Sequence, residues 1–173
     1  KSIVFPRNQW SKEALEILVK FSFTCYRGTE KHFLYQARNQ EKQRNPIIRM
    51  LRIIDNYLNI SGHHTHRYED LLPNNASPLI NIPSSRFLRP YSKTLFLLEP
   101  LRRRRIKKAM THAAKHNQIF HLWWHPHNFG VNQEANMKTL NKILIHYQKL
   151  NKKYGMKSQN MGQLAKSIAG FSV

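Results

Sequence analysis

The sequence predicts an α/β fold, and three observations carry that prediction. Apolar runs at residues 2–5 and 21–26 flank an amphipathic helix, and strand, helix and strand in close succession are typical of α/β proteins. The run 119–124 is the clearest candidate for a buried strand. Apolar residues then recur at three- and four-residue spacing from 137 to 154, which predicts one long amphipathic helix.

Length and composition indicate a single domain. The 173 residues are 40% hydrophobic, and no repeat or low-complexity linker divides them, so we place no boundary within residues 1–173. Because the chain begins at Lys1 rather than Met, we expect only part of a domain. The single cysteine, Cys25, excludes an internal disulfide and a cysteine-based zinc site. No apolar run approaches the ~20 residues of a membrane-spanning helix.

The charge balance is strongly basic. Lys and Arg number 29 against 9 Asp and Glu, which gives a formal net charge of +20. Such a balance is typical of proteins that bind a polyanion, either nucleic acid or an anionic membrane. The densest basic run, residues 102–108, is interpreted as a solvated helix face, with a phosphate-binding patch as the alternative.

Local signals place the ends of several helices. Ser11 is a candidate N-cap for the first helix, and Pro46 begins a basic amphipathic helix over 46–54. Pro100 lies inside the helical stretch 92–116 and predicts a kink or two separate helices there. Gly155 is expected to end the long helix as its C′ residue.

Two groups of histidines, at 63–66 and at 112–116, are interpreted as structural rather than metal-binding. Residues 56–75 are predicted to form a long loop, and we expect the histidines at 63–66 to be solvated within it. His112 and His116 have the four-residue spacing of two ligands on one helix face.

The segment 121–130 contains the main group of candidate catalytic and binding residues. Its sequence is His-Leu-Trp-Trp-His-Pro-His-Asn-Phe-Gly. Because side chains alternate across a strand, His121, Trp123 and His125 should share one face, and Trp124 should lie in the core on the other. His125 falls at the carboxyl end of the predicted strand, where α/β folds place their reactive groups. Imidazoles can transfer protons, and indoles can stack against sugar rings.

The segment 121–130, the helix after it and the closing run 158–162 together resemble the C-terminal part of polysaccharide deacetylases, the family with the NodB homology domain. The opening run 5–8, Phe-Pro-Arg-Asn, resembles the strand-end motif of the same family. The resemblance implies the C-terminal part of an irregular (β/α) barrel. The family's Asp-Asp motif, which supplies the catalytic base and one metal ligand, does not occur in the sequence. His112 and His116 have the spacing of the family's two metal-binding histidines, but they follow the strand-end motif, which is the wrong order for the family.

The resemblance also implies a role for each matching residue. His125 would be the catalytic acid, and Arg7 would hold the base by an ion pair. The expected substrate contacts are Pro6, Asn8, Trp123, His127 and Asn128. A divalent metal, zinc or similar, is implied in the intact enzyme, with its ligands expected upstream and none in this chain. The implied substrate is an N-acetylated glycan, and we expect this chain alone to be inactive.

Two other functions are compatible with the sequence. A small basic nucleic-acid-binding protein would explain the charge directly, although the basic residues are scattered and form no known binding motif. A relative of the deacetylases that binds glycan without catalysis is the second alternative.

Overall fold

The computed structural model describes residues 1–30, 32–35, 45–72 and 79–170. Within this part of the chain, short parallel strands alternate with helices, as the sequence predicts. The strands are β1 (Ser2–Ile3), β2 (Cys25–Gly28), β3 (Ile80–Pro83), β4 (Arg86–Phe87) and β5 (Leu122–Trp123). The helices are α1 (Lys12–Lys20), α2 (Pro46–Asp55), α3 (Glu99–Lys115), α4 (Pro126–Gly130), α5 (Gln133–Tyr154) and α6 (Met161–Gly170).

The strands form two parallel sheets, and β3 and β4 follow each other closely in the segment 80–87. One parallel sheet has the order β1-β2-β3, and a second pairs β4 with β5, also in parallel. Residues 84 and 85 join the two sheets: the Ser84 N–H donates to the Gly28 carbonyl at 3.0 Å, and the Ser85 N–H donates to the His121 carbonyl at 2.9 Å. All five strands therefore present their carboxyl ends at one edge. They do not close into a barrel within the described residues, so the partial barrel stays a prediction.

The predicted helix ends are confirmed where local chemistry determines them. The Ser11 hydroxyl accepts a hydrogen bond from the Ala14 N–H at 3.2 Å and caps α1. Pro46 stands at the start of α2, and Gly155 ends α5 with a φ of 69°. Pro100 does not kink a helix: α3 begins at Glu99, so the proline occupies the first turn, where its missing N–H is not needed.

Two packing regions position the strand ends. Helix α6 packs on the β2–β3 face, where Leu164 and Ile168 join Cys25, Ile80 and Ile82 in one cluster of buried residues. Helices α3 and α5 pack together beside β4 and β5. The buried residues of this second region are Leu88, Ile106, Met110, Phe129, Ile143 and Leu150. No helix among the described residues is long and apolar enough to cross a membrane.

Two of three expectations for individual segments were wrong. The predicted strand 119–124 is ordered as a strand only at Leu122–Trp123, and Trp124 is 37% exposed rather than buried. The strand predicted at 21–26 begins later, at Cys25, because the chain turns after α1. The third expectation, a loop over 56–75, is confirmed for residues 56–72 apart from a single 3₁₀ turn at Glu69–Leu71, and its residues 73–75 lie outside the described part.

The histidines at 63–66 are only partly solvated, which corrects the prediction: His66 is buried, and His63 and His64 are half-buried. His66 is 4% exposed, and its backbone exchanges hydrogen bonds with Ile119 at 3.1 and 2.8 Å. His64 lies 2.6 Å from the Ser61 hydroxyl, between ring nitrogen and oxygen. Burial lowers the pKa of His64 to about 4, with a further contribution from the Arg86 charge.

Candidate functional site

Arg27 joins the two segments that carry the family resemblance. Its guanidinium donates to the Asn8 side-chain oxygen from Nε at 3.2 Å and from Nη2 at 3.0 Å. The same guanidinium lies 4.1 Å from the centre of the Trp123 ring, a cation–π contact. The strand-end segment near residue 8 and the strand-end segment near residue 123 therefore meet at the carboxyl edge of the sheet.

A series of aromatic rings continues from Trp123 to the predicted catalytic acid. Phe87 at the end of β4 packs on Trp123 with ring centres 4.5 Å apart, and Trp123 meets His125 edge-on at 5.2 Å. His125 stacks on His127 at 5.2 Å. The imidazoles of both histidines are exposed, so the rings hold them in place while leaving them open to solvent.

The backbone after β5 explains why His125 lies where it does. Its φ and ψ of −95° and 117° are extended, as expected for a residue before proline, and Pro126 then begins α4. The Asn128 N–H donates to the His125 carbonyl at 3.1 Å and fixes this strand-to-helix turn. The imidazole consequently stands at a sharp junction between a strand and a helix.

His121 lies beneath this group as a neutral, anchored ring. Its Nδ1 is 3.2 Å from the Pro83 carbonyl, which requires a proton on that nitrogen for a hydrogen bond. Burial lowers the pKa of His121, and the nearby Arg27 charge lowers it further. The Ser85 hydroxyl accepts a hydrogen bond from the His121 backbone N–H at 2.9 Å. This histidine therefore supports the strand end rather than transferring protons.

One polar atom in this cluster has no partner. The indole Nε1 of Trp123 is buried, and no hydrogen-bond acceptor reaches it within the part of the chain that the structure describes. A buried donor without an acceptor costs about 1–3 kcal/mol.

Only some of the predicted site residues contact one another in the structure. Asn8, Trp123, His125 and His127 belong to one connected cluster. No hydrogen bond or ring contact links the side chains of Pro6 or Asn128 to that cluster among the described residues. The side chain of Arg7 lies outside the described part of the chain, so its predicted ion pair stays a prediction.

Sequence reasoning missed Arg27 and Phe87. Arg27 is the penultimate residue of β2 and Phe87 is the last residue of β4, and a position at a strand end also drew attention to His125. Arg27 was missed because the second strand was predicted over residues 21–26 and ended before it. A correct placement of β2 would have put this arginine at the functional edge.

The buried acids near this edge are already engaged. Asp55 receives a hydrogen bond from the Tyr35 hydroxyl at 2.6 Å and one from Arg86 at 2.5 Å, and Arg105 lies 3.6 Å away. Burial alone would raise the pKa of Asp55, but hydrogen bonds from Tyr35 and Ser61 and the Arg86 charge lower it to about 2. This network fixes β4, and with it the neighbouring Phe87.

The described residues do not form a metal site. Among residues 1–30, 32–35, 45–72 and 79–170, no three His, Cys, Asp or Glu side chains are grouped to hold an ion. His112 and His116, which have ligand-like spacing in the sequence, instead stack on each other at 4.2 Å. The metal expected from the resemblance has no group of ligands among these residues.

Comparisons of this chain with protein-family models, with curated proteins and with solved structures returned no match.

Proposed function

We propose that this chain supplies the general acid of a polysaccharide deacetylase, a hydrolase that removes N-acetyl groups from a glycan by cleaving an amide bond. The observation that supports the proposal is the contact of Arg27 with both Asn8 and Trp123. It unites the two segments of the family resemblance at the edge where His125 is exposed.

In this proposal His125 acts when the tetrahedral intermediate collapses. The imidazolium donates its proton to the departing sugar nitrogen as the carbon–nitrogen bond breaks, which releases acetate and a free amine. An amine leaves poorly unless it is protonated, so the proton must arrive in the transition state. General acid catalysis of this kind contributes roughly 10²–10⁴-fold to the rate.

The neighbouring side chains would hold the sugar in place. Trp123 is half-buried between Arg27 and Phe87, and it would contact the sugar with the part of its indole that remains exposed. Arg27 fixes both Asn8 and the Trp123 ring, so it is a positioning residue. His127 lies against the acid and faces solvent, where a sugar hydroxyl can reach it.

The family chemistry also includes a divalent metal and a carboxylate base. The resemblance implies that neither group is supplied by this chain, and the described residues form no site for the metal. Every step proposed here is performed by side chains of this chain alone.

Acetate release from N-acetylated glycans by the protein as its gene encodes it tests the proposal. His125→Ala should lower kcat by about 10²–10⁴-fold with little change in KM, because the acid acts in the transition state. His127→Ala is the matched control, and its effect should fall mainly on KM. Arg27→Lys keeps the charge but loses the paired hydrogen bonds to Asn8, so it should lower kcat while leaving Tm unchanged.

Two outcomes would reject the proposal. A folded protein that releases no acetate but binds glycan would be a relative without catalysis. Equal effects of His125→Ala and His127→Ala on kcat would remove the special role of His125.

A further inference from the structure

A second candidate site lies on the outer face of α3, away from the strand ends. It is an open groove of about 620 Å³, here called the basic groove. Its lining residues come from α3, from the 63–66 segment and from α5: His63, Pro100, Arg103, Arg104, Lys107, Lys108, Thr111, His112, Lys115, His116 and His146.

The cations of the basic groove are not neutralised by its lining. On the inner side of α3, Arg102 is paired with Glu99, and Arg105 lies 3.6 Å from Asp55. The outer side carries five cations, from Arg103 to Lys115, and no acidic residue lines the groove with them. The helix thus separates compensated arginines inside from uncompensated charges outside.

This arrangement is unfavourable for the isolated helix. Arg103 and Lys107 are four residues apart, as are Arg104 and Lys108, so like charges are neighbours on the helix surface. Each such pair costs about 0.2–0.5 kcal/mol. A bound polyanion would convert these repulsions into attraction.

A stack of imidazoles runs beside the cations. His63 packs on His112 with ring centres 4.6 Å apart, and His112 stacks on His116 at 4.2 Å. The Nδ1 atom of His63 is buried without a hydrogen-bond partner among the described residues. Burial lowers the pKa of His63, and the charges of His112, Arg86 and Lys108 lower it further, so the ring is neutral at neutral pH.

We infer that the basic groove binds single-stranded nucleic acid, with the cations along its phosphates and the imidazole stack against its bases. From Arg103 to His116 the helix rises about 20 Å, so the charges are spread along a line and do not converge on one phosphate. A cationic track beside aromatic rings is the combination by which proteins hold single strands without reading sequence.

Fluorescence anisotropy with a labelled oligothymidylate of about 20 nucleotides tests this inference on the 173-residue chain. The triple variant Arg104→Gln, Lys107→Gln, Lys108→Gln removes charge from the groove. The matched control Lys12→Gln, Lys20→Gln, Lys166→Gln removes the same charge from exposed positions on α1 and α6. Both variants lower the formal net charge from +20 to +17, since three cations become neutral.

The groove variant should bind roughly tenfold or more weakly at 100 mM salt, whereas the control should bind nearly as the unmodified chain does. The slope of log affinity against log salt should be about −3 to −4 and should shrink by about 2 in the groove variant only. Acetate release by the full-length protein should be unchanged in the groove variant.

Two results would overturn the inference. Equal losses in the two triple variants would show that net charge, and not the groove, holds the oligonucleotide. Equally tight binding of inorganic polyphosphate with the same number of charges would show that the bases contribute nothing, and single-stranded nucleic acid would no longer be the favoured ligand.

Discussion

At the scale of single residues, Arg27 has the most consequential contacts. A lysine could supply the charge but not the planar group that binds the Asn8 oxygen through two nitrogens while lying against an indole. The contact also accounts for the neutral state of His121, because the guanidinium charge adds to burial in lowering its pKa. One side chain therefore orients two candidate sugar contacts and adds to the effect of burial on the pKa of the ring below them.

The pKa values of His64 and Asp55 predict two separate losses of stability in acid. The His64 ring stays neutral in the folded chain down to about pH 4, whereas the unfolded chain binds a proton near 6.5. Stability should therefore fall as pH falls from 6.5 toward 4. The Asp55 carboxylate has a folded pKa of about 2 and an ordinary value of 3.8, so its contribution is lost between those values.

His64→Asn isolates the first of these losses. Asparagine tolerates the positive φ of 53° at this position, so the backbone can remain as it is. Urea unfolding at several pH values should show a flatter dependence between pH 6.5 and 4 in the variant. His127→Asn removes an exposed imidazole and should keep the steeper dependence of the unmodified chain. A steep dependence in His64→Asn would assign that loss to other groups.

At the scale of elements, β2 and β3 approach each other closely at one point. A Cβ on Gly28 would lie 2.1 Å from the side-chain oxygen of Asn81 and 2.9 Å from its Cγ. Side-chain atoms cannot approach so closely, and Asn81 is paired in register with Tyr26 on the adjacent strand. A side chain at position 28 therefore requires the Asn81 side chain to move.

Gly28→Ala should lower the free energy of unfolding by about 1–3 kcal/mol through this overlap. Asn81→Ala should relieve it, so the double variant should be more stable than the sum of the two single changes predicts. Gly130→Ala is the control, because nothing lies within 4 Å of an added Cβ there. Strict additivity in urea unfolding would show that the strands shift apart instead.

Sequence patterns predicted an element correctly where a few adjacent residues determine it. The cap at Ser11, the start at Pro46 and the left-handed Gly155 depend on a few adjacent residues and were correct. The strands have only two to four residues, too few for periodicity to place them, so β2 was displaced and β5 was drawn too long.

The candidate site follows the same rule. The position of His125 could be predicted, because strand alternation and the following proline are local. The contact between Arg27 and Trp123 could not be predicted. The two residues are 96 positions apart in the sequence (from 27 to 123), and their contact depends on the order of the strands. The buried His64 was missed because its partner network includes Arg86 from β4 and Asp55 from α2.

At the scale of the whole molecule, buried and exposed charges are organised differently. The buried arginines 86, 102 and 105 each lie beside a buried carboxylate, and such pairs are little affected by salt. Most of the remaining cations are on the surface, where the formal net charge of +20 makes the molecule repel itself. Stability should therefore depend on salt through the exposed cations, and above all through the basic groove, where like charges are neighbours.

Thermal unfolding measured between low and high salt tests this distribution. The unmodified chain should gain Tm as salt rises from 20 to 300 mM, because screening weakens repulsion among surface cations. At low salt the groove variant Arg104→Gln, Lys107→Gln, Lys108→Gln should have the higher Tm, by about 2–4 °C. It removes the two repulsive pairs Arg103–Lys107 and Arg104–Lys108 and a third at i, i+3 between Arg104 and Lys107. The control with Lys12, Lys20 and Lys166 changed to Gln should instead lose a little Tm, because Lys20 lies four residues after Glu16 in α1. Both differences in Tm should become small at high salt.

A lower Tm in the groove variant at low salt would contradict this prediction. It would mean that these cations are compensated by other groups in the folded chain, so the basic groove would not be an unneutralised surface.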